Sequence, residues 1–457
     1  MMMLSDVAKI LKADMRGHDV AVLSVGTDSR SIQKGQLFIG IKGEHFDGNT
    51  YAAEAIKQGA AAVIISDTAT QVSPAVVVTD TRLALGQLAH HWRMQFNVPL
   101  VAVTGSNGKT TVKEMINAIL TAANSKVLAT RGNLNNDIGL PLTLLHMNKY
   151  HNYAVIEMGM NHEGEIRYLT NLAQPKVAVI NNAGTAHIGE LGSKEAIARA
   201  KGEIFEGLGN DGIAVINADD DFADYWRSLN QHRKVITFGL IKPADITAVT
   251  EQMHDRAQVN LHTPAGNIQF YLETLGEHNV RNALAACAAT YALGISLIDI
   301  ARGLKRFAAV PGRLNKKEGF NGAQVIDDTY NANPDSMKAA IDVLQKQPAH
   351  QVFVMGDMAE LGEDAAAMHA EVGAYAKQKG IHQLLAFGDL CKFASAAFGA
   401  GAIHFSDIEA LNKSVKSTMK ANVTVLVKGS RFMKMERVVN DIVSNKNLKE
   451  KANREMH

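Results

Sequence analysis

Residues 101–111 read V-A-V-T-G-S-N-G-K-T-T, and residues 112–120, V-K-E-M-I-N-A-I-L, follow without a break. The first stretch is an apolar, β-branched run that stops at Gly105. The second has helical spacing. A strand, a glycine turn carrying Gly-Lys-Thr-Thr and a helix, in that order, form the context in which backbone N–H groups cradle phosphate. Gly105 and Gly108 free the backbone to bend toward an anion. Lys109 supplies a point charge for the β- and γ-phosphates. Thr110 or Thr111 can present a hydroxyl to Mg²⁺. The whole loop (Thr104, Gly105, Ser106, Asn107, Gly108, Lys109, Thr110 and Thr111) is therefore the candidate triphosphate site. The first glycine of G-x-x-x-x-G-K-[ST] is missing, because Val103 stands there. A tight glycine turn with an exposed lysine is the plain alternative.

Outward from this loop, short apolar runs recur at 36–41, 60–65, 98–104, 153–159, 176–182 and 212–217, and again at 324–328, 351–356, 383–388 and 423–428. They are rich in Val and Ile and apolar on both faces, as buried parallel strands are. Helical stretches separate many of them, which predicts an α/β protein of βαβ units. The breaks Asn97-Val98-Pro99 and Val310-Pro311-Gly312-Arg313 divide the chain into three blocks. Residues 1–97 form a smaller α/β unit, 98–312 a central P-loop-type unit, and 313–457 a Rossmann-like unit. The tail from Asn445 is polar and charged.

Composition narrows the function. A formal charge of +1 over 457 residues gives no global field for nucleic acid or an anionic membrane, so any anionic ligand needs a local site. The two cysteines, Cys287 and Cys391, lie far apart in apolar segments, which fits a reducing compartment better than a disulfide framework. The N-terminal stretch carries Asp and Lys within its apolar residues, and no run approaches the about 18 apolar residues that span a bilayer. The expectation is a cytoplasmic enzyme with no membrane insertion and no nucleic-acid partner. A monomer is expected.

Several further stretches occur in a fixed order: 130–139 (TRGNLNNDIG), 157–166 (EMGMNHEGEI), 181–192 (NNAGTAHIGELG), 200–205 (AKGEIF), 276–282 (GEHNVRN), 311–313 (PGR), 327–336 (DDTYNANPDS), 356–362 (GDMAELG) and 428–431 (KGSR). With a T-G-x-x-G-K-T-T loop that lacks the first glycine, this series resembles the Mur ligase family over almost the whole chain. N-H-x-G-E-I, D-D-x-Y-N-A-N and G-D-M-A-E-L-G resemble the members that add D-alanyl-D-alanine to a UDP-muramoyl-tripeptide.

The resemblance implies ATP-dependent amide-bond formation through an acyl phosphate, with ATP and two Mg²⁺ ions. It assigns the catalytic set to Lys109, Glu157, His187 and Lys201. Thr110, Glu157 and His187 would be metal ligands, joined by Lys201 once its amine carries a carbamate. Unaided, the sequence reads Lys201 as a surface helix lysine and His187 as a turn residue. His278, Asn279 and Asn282 fall in G-x-H-N-x-x-N, where the family recognises adenine, although Asn279 could equally cap a helix. Arg313 would contact ATP phosphates, and Asp328 and Tyr330 would approach the nucleotide from the third unit. Asn135, Asn136 and Asp137 would serve the UDP-muramoyl substrate, with Asn161, His162 and Glu163 near its peptide. Ser29 and Arg30 (in T-D-S-R) and Asp47 (in GEHFDG, 43–48) resemble the UDP-binding module. Lys428, Ser430 and Arg431 would meet a substrate carboxylate.

Three alternatives stay open at this stage. One is the family member that adds the third amino acid, whose diaminopimelate form carries D-N-P-R; here the comparable stretch is N-A-N-P-D-S. A second is a folylpolyglutamate-synthase-like ligase, which would lack the UDP-type first block. The third is a P-loop kinase or NTP-binding protein, which leaves H-N-x-x-N, P-G-R and K-G-E-I-F unexplained. No residue stands out as the base that deprotonates the attacking amine.

Overall fold

The computed structural model describes residues 1–43, 46–186, 188–253, 256–347 and 350–443. The chain is α/β, built on three mainly parallel sheets. All ten apolar runs form strands, most of them a residue or two shorter than the run itself.

The first sheet has five strands in the order Asp14–Arg16, Ala75–Val77, Ala62–Ile65, Gln36–Ile39 and Ser24–Gly26. Only the Asp14–Arg16 edge is antiparallel. The helix Thr81–Arg93 follows, capped by the Asp80 carboxylate, which accepts from the N–H groups of Arg82 and Leu83. This helix leaves its own block and packs on the middle unit. Arg93 is buried and donates to the carbonyls of Ala173, Phe96 and Val98 at 3.0, 2.8 and 2.9 Å. Trp92 Nε1 donates to the Met147 carbonyl at 2.9 Å. A continuous hydrophobic core accordingly runs from Leu4 to Trp226, across the break at residue 97.

The middle sheet has six parallel strands in the order Lys234–Phe238, Ile213–Asn217, Val177–Ile180, Leu100–Thr104, Tyr153–Glu157 and Val127–Ala129. Alternate residues feed two cores. Val101 and Val103 face the helices Lys109–Ala122 and Glu277–Ala292. Leu100 and Ala102 face the opposite side, with Leu140, Ile166 and Ile197. From Leu100–Thr104 the chain winds first to one side and then, at Val177–Ile180, to the other. That reversal leaves a crevice at the carboxyl ends of these two strands, where ligands of open α/β sheets bind. A three-stranded antiparallel sheet (Thr247–Gln252, Ala257–Thr263, Gly266–Leu272) covers one side of this unit. It carries no run apolar on both faces, so the search for buried parallel strands passed over it.

The third sheet runs Asn315–Glu318, Gln324–Asp328, Val423–Lys428, His350–Gly356, Gln383–Phe387 and Ala402–Phe405. It is parallel except for the polar edge strand Asn315–Glu318, sequence NKKE, which hydrophobicity could not reveal. Among the described residues, no helix is long and apolar enough to cross a membrane.

Candidate active site

Glu157, Asn181 and Asn217, at the carboxyl ends of three strands of the middle sheet, and the loop from Ser106 that follows the strand Leu100–Thr104 between them form the floor of a cleft of about 750 Å³. The third unit closes over it with Asp328, Tyr330, Asn331, Asn333, Asp335 and Lys428.

The phosphate loop has the expected form. Gly108 sits at φ +79° as the residue before the helix Lys109–Ala122, and a Cβ there would collide with the amides of Asn282 and Asn181. Asn107 is held from three sides. Its N–H donates to Asn182 Oδ1 at 2.8 Å, its carbonyl accepts from Asn181 Nδ2 at 2.9 Å, and its own Oδ1 accepts from Asn333 Nδ2 at 2.8 Å. Lys109 Nζ folds back onto the Gly105 carbonyl at 2.7 Å. Burial lowers its pKa, while the Glu157 carboxylate acts in the opposite direction. Arg313 reaches across from the third unit, donates from Nη2 to Thr110 Oγ1 at 2.9 Å, and stacks on Tyr330 with its guanidinium carbon 4.3 Å from the ring centre.

Glu157 is 2% exposed. Its Oε1 accepts from Asn135 Nδ2 at 2.8 Å, and its Oε2 is buried without a hydrogen-bond partner. Asn181 Oδ1 is likewise buried and unpartnered. Two orphaned oxygens at the ends of the strands that flank Leu100–Thr104, on either side of the phosphate loop, fit a hard divalent cation. Lys201 is 1% exposed rather than a surface lysine. Its helix, Lys194–Gly202, turns that side chain inward, and no hydrogen bond is recorded for its amine among the described residues. Burial pushes its pKa well below the ordinary lysine range, and the nearby Lys109 charge pushes the same way. His187 lies outside the described residues.

Asn279 and Asn282 are buried and mutually tied, and His278 beside them is half-buried. Asn282 Oδ1 accepts from Asn181 Nδ2 at 2.8 Å, and Asn282 Nδ2 donates to Asn279 Oδ1 at 3.1 Å. Asn279 does not cap its helix. Gly276 occupies that position, and Asn279 Nδ2 donates to the Leu275 carbonyl. Burial pushes the His278 pKa down to about 4. Lys428 is 3% exposed and pairs with the protein's own Asp328 at 2.6 Å, so its first carboxylate partner is internal.

Other expected residues stand apart. Asn136 and Asn161 line the cleft, whereas His162 and Arg431 are exposed and do not. Arg431 pairs with Glu436. Ser29, Arg30 and Asp47 lie in the loops of the first sheet, away from the cleft. Arg30 pairs with Asp28, and the Arg30 hydrogen bonds hold that carboxyl at about 2. Asp47 accepts from the Asn49 backbone and side chain, while Glu44 and His45 of the same motif lie outside the described residues.

Sequence reasoning passed over three participants. Asp335 Oδ2 accepts from the N–H and hydroxyl of Thr185 at 2.7 and 2.9 Å, bridging the middle and third units. Asp220 accepts from the Ala183 and Phe222 N–H groups at the cleft wall. Glu360, at φ +62°, lines the cleft from the third unit and accepts from Gly189 N through its carbonyl. Asp335 and Glu360 fall inside quoted motifs, and the run Asp219-Asp220-Asp221 at a strand end was a signal for Asp220.

Residues 22–93 match the Mur ligase family catalytic domain, 103–290 the Mur ligase middle domain, and 312–431 the glutamate ligase domain of Mur ligases. The chain belongs to the Mur ligase family. This Mur ligase is 42% identical over 446 residues to the UDP-N-acetylmuramoyl-tripeptide–D-alanyl-D-alanine ligase of Escherichia coli (strain K12), an alignment covering 97% of this chain and 98% of that one. Its structure matches crystal structure I of MurF from Acinetobacter baumannii with a TM-score of 0.91 at 37% identity, covering 96% and 97% of the two chains. It matches MurF ligase from Thermotoga maritima in complex with ADP with a TM-score of 0.82 at 28% identity, covering 92% and 96%. Among Mur ligases, these full-length likenesses favour the D-alanyl-D-alanine-adding members over the alternatives weighed from sequence.

Proposed function

We infer that this chain is an ATP-dependent ligase that joins D-alanyl-D-alanine to UDP-N-acetylmuramoyl-tripeptide, giving the pentapeptide precursor of peptidoglycan. The reading is carried by near end-to-end similarity to ligases of that name, together with a phosphate loop faced by cationic and polar groups of a second unit.

A free carboxylate is a poor electrophile, and ATP removes that obstacle. The tripeptide carboxylate takes the γ-phosphoryl group and ADP leaves. The dipeptide amine, after losing a proton, attacks the acyl carbon, and phosphate departs as the amide forms. The protein's task is to bring anionic reactants together and neutralise them, where orientation and fixed dipoles provide most of the gain. Lys109, Arg313 and the N–H groups of the loop bind the phosphates. Asn279 and Asn282 sit toward the adenine, with Asp328 and Tyr330 facing the nucleotide.

Glu157, Asn181 and, once carbamylated, Lys201 would hold Mg²⁺, with His187 completing the set. Bound there, the ions would neutralise charge on the transferring phosphoryl group. Lys201 is suited to carbamylation because a desolvated lysine keeps a neutral amine available to CO₂. We assign 1–97 to the UDP-muramoyl end of the substrate, 98–312 to ATP, and 313–457 to closure over both. We take the enzyme to act as a monomer, since one chain alone supplies the described residues of the cleft. Two free, buried cysteines support a cytoplasmic setting.

The decisive experiment measures ADP release with Mg²⁺, ATP and UDP-muramoyl-tripeptide, with and without D-alanyl-D-alanine, and weighs the product. Release requiring both substrates, with a mass gain of one dipeptide less water, is expected. Turnover of the UDP-dipeptide precursor with diaminopimelate or lysine instead would make the chain a third-residue ligase.

A further inference from the structure

Lys113 lies one turn beyond Lys109 on the helix Lys109–Ala122 and is 1% exposed. Stripping an ammonium of water is costly unless it is paired and hydrogen-bonded, and an apolar side chain of the same length would usually fill such a site at less cost. The partners of this cation indicate what it accomplishes. One is the adjacent Glu114 carboxylate. The other is the main-chain carbonyl of Thr130, which accepts from Lys113 Nζ at 2.7 Å.

Thr130 opens the loop 130–137 and is itself 1% exposed. Its N–H donates to the Val155 carbonyl at 3.1 Å, and its Oγ1 accepts from the Glu157 N–H at 3.0 Å. Five residues on, Asn135 Nδ2 donates to Glu157 Oε1, and the Asn135 carbonyl accepts from Gly159 N at 2.9 Å. Glu157 is thus held at its main chain by Thr130 and at its carboxylate by Asn135. Both sit on one loop whose first carbonyl is pinned by a buried cation. The oxygen that this grip leaves over is Oε2, the one without a partner.

We propose that Lys113 is a positioning residue: by fixing the Thr130 carbonyl it sets the 130–137 loop, and through it the carboxylate of Glu157 that takes a divalent cation. A core lysine of no further consequence would need only the Glu114 partner. The bond to Thr130 directs the charge into the loop that orients the metal ligand, and groups that orient metal ligands typically govern affinity about 10- to 100-fold. This inference rests on the reading of Glu157 as a cation ligand, and the test separates the two.

The measurement is Mn²⁺ affinity, read by electron paramagnetic resonance on the full chain with a non-hydrolysable ATP analogue. The variants are Lys113→Met, Thr130→Val and, as reference, Glu157→Gln. Lys113→Met and Thr130→Val are each expected to weaken Mn²⁺ binding roughly tenfold or more, with analogue affinity in the absence of metal unchanged. If Lys113→Met binds Mn²⁺ as wild type while Glu157→Gln is weakened, the Lys113 proposal is overturned, whatever Thr130→Val does, and the ligand assignment stands. If Glu157→Gln also binds Mn²⁺ as wild type, both fall. Thr130→Val leaves the bond from Lys113 to the Thr130 carbonyl in place and tests only the step from the loop to Glu157. Should Lys113→Met fail to fold, Lys113→Gln, polar but one atom too short to hold that carbonyl, is expected to show the same loss, and wild-type Mn²⁺ binding by it overturns the proposal.

Discussion

Replacing Asp335 by Ala removes the bridge between the third unit and the loop that follows the strand Val177–Ile180. Asp335 Oδ2 accepts from Thr185 N at 2.7 Å and from Thr185 Oγ1 at 2.9 Å. Hydrogen bonds to a charged group contribute about 1.5–3 kcal/mol each when singly deleted. These two share one oxygen in a part-buried setting, so their joint contribution is roughly 2–3 kcal/mol rather than the sum. At 1.4 kcal/mol per factor of ten, that shifts the approach of the two units roughly 30- to 140-fold toward separation. ADP release should then show kcat/KM for ATP reduced by at least about tenfold, the remainder being absorbed where bound substrates already hold the cleft closed. Thr185→Ala leaves the N–H in place and should cost less. The double variant should be non-additive by about 1 kcal/mol or more, because the two residues act through the same contact. Small-angle scattering with ATP analogue and UDP-tripeptide should report a more extended particle for Asp335→Ala, while the thermal midpoint barely moves, since neither core is touched. Unchanged kcat/KM together with a wild-type scattering profile would refute the bridge. Additive single effects would assign Asp335 to a direct substrate contact instead.

Glu157→Gln should lower kcat by about 100-fold or more, the scale of losing one preorganised electrostatic group, with excess Mg²⁺ recovering little in steady-state assays. Lys201 should carry a carbamate: ¹³C-bicarbonate should add a carbonyl resonance that Lys201→Arg abolishes, and its absence from active enzyme would reject the modification. His278, pushed down to about 4 mainly by burial, is neutral in the fold. Between pH 6.5 and 4 the unfolded chain therefore binds the extra proton, and stability falls as pH falls through that window; His278→Gln should flatten this part of the denaturation profile. Cys287 and Cys391 are buried, with pKa values raised by burial, so a thiol reagent should titrate neither in the native protein and both after unfolding.

What the sequence disclosed divides along physical lines. Strands such as Val177–Ile180 and Val423–Lys428 are buried on both faces, so hydrophobicity alone marks them. Gly108 was legible because its backbone conformation admits little else. The edge strand Asn315–Glu318 and the three-stranded antiparallel sheet were not, since their outer faces meet water and their residues read as polar. Lys201 shows a different limit. Its burial depends on how the helix Lys194–Gly202 is seated, which no local pattern states, and the resemblance pointed to it where the residue type did not. Asn282 was legible as a polar residue on the nucleotide side. That its amide is shared between Asn181 and Asn279 is a tertiary fact. The inter-unit bridge of Asp335 joins residues 150 apart in sequence, beyond the reach of any spacing rule.

The cleft poses an electrostatic problem that its geometry answers. ATP and the muramoyl substrate are anionic, yet Glu157, Glu165, Asp219, Asp220, Asp221, Asp328, Asp335 and Glu360 all line the cleft. Left bare, eight carboxylates would repel both reactants. Asp221 is exposed to solvent, and most of the others are already engaged. Asp219 accepts from the N–H groups of Leu240, Ile241 and Lys242, and these bonds hold its pKa low against the effect of burial. Asp220 accepts from Ala183 and Phe222, Asp328 pairs with Lys428, and Asp335 is held by Thr185. Of the acids that line the cleft, Glu157 keeps a buried carboxylate oxygen with no hydrogen-bond partner among the described residues. The remaining polar groups of the floor are neutral asparagines, whose amides bind anions without adding charge. Buried negative charge without a hydrogen-bond partner is thereby offered at the Glu157 oxygen beside the phosphate loop. A divalent cation gains most from such a point, and a triphosphate is attracted to it only once the cation is there.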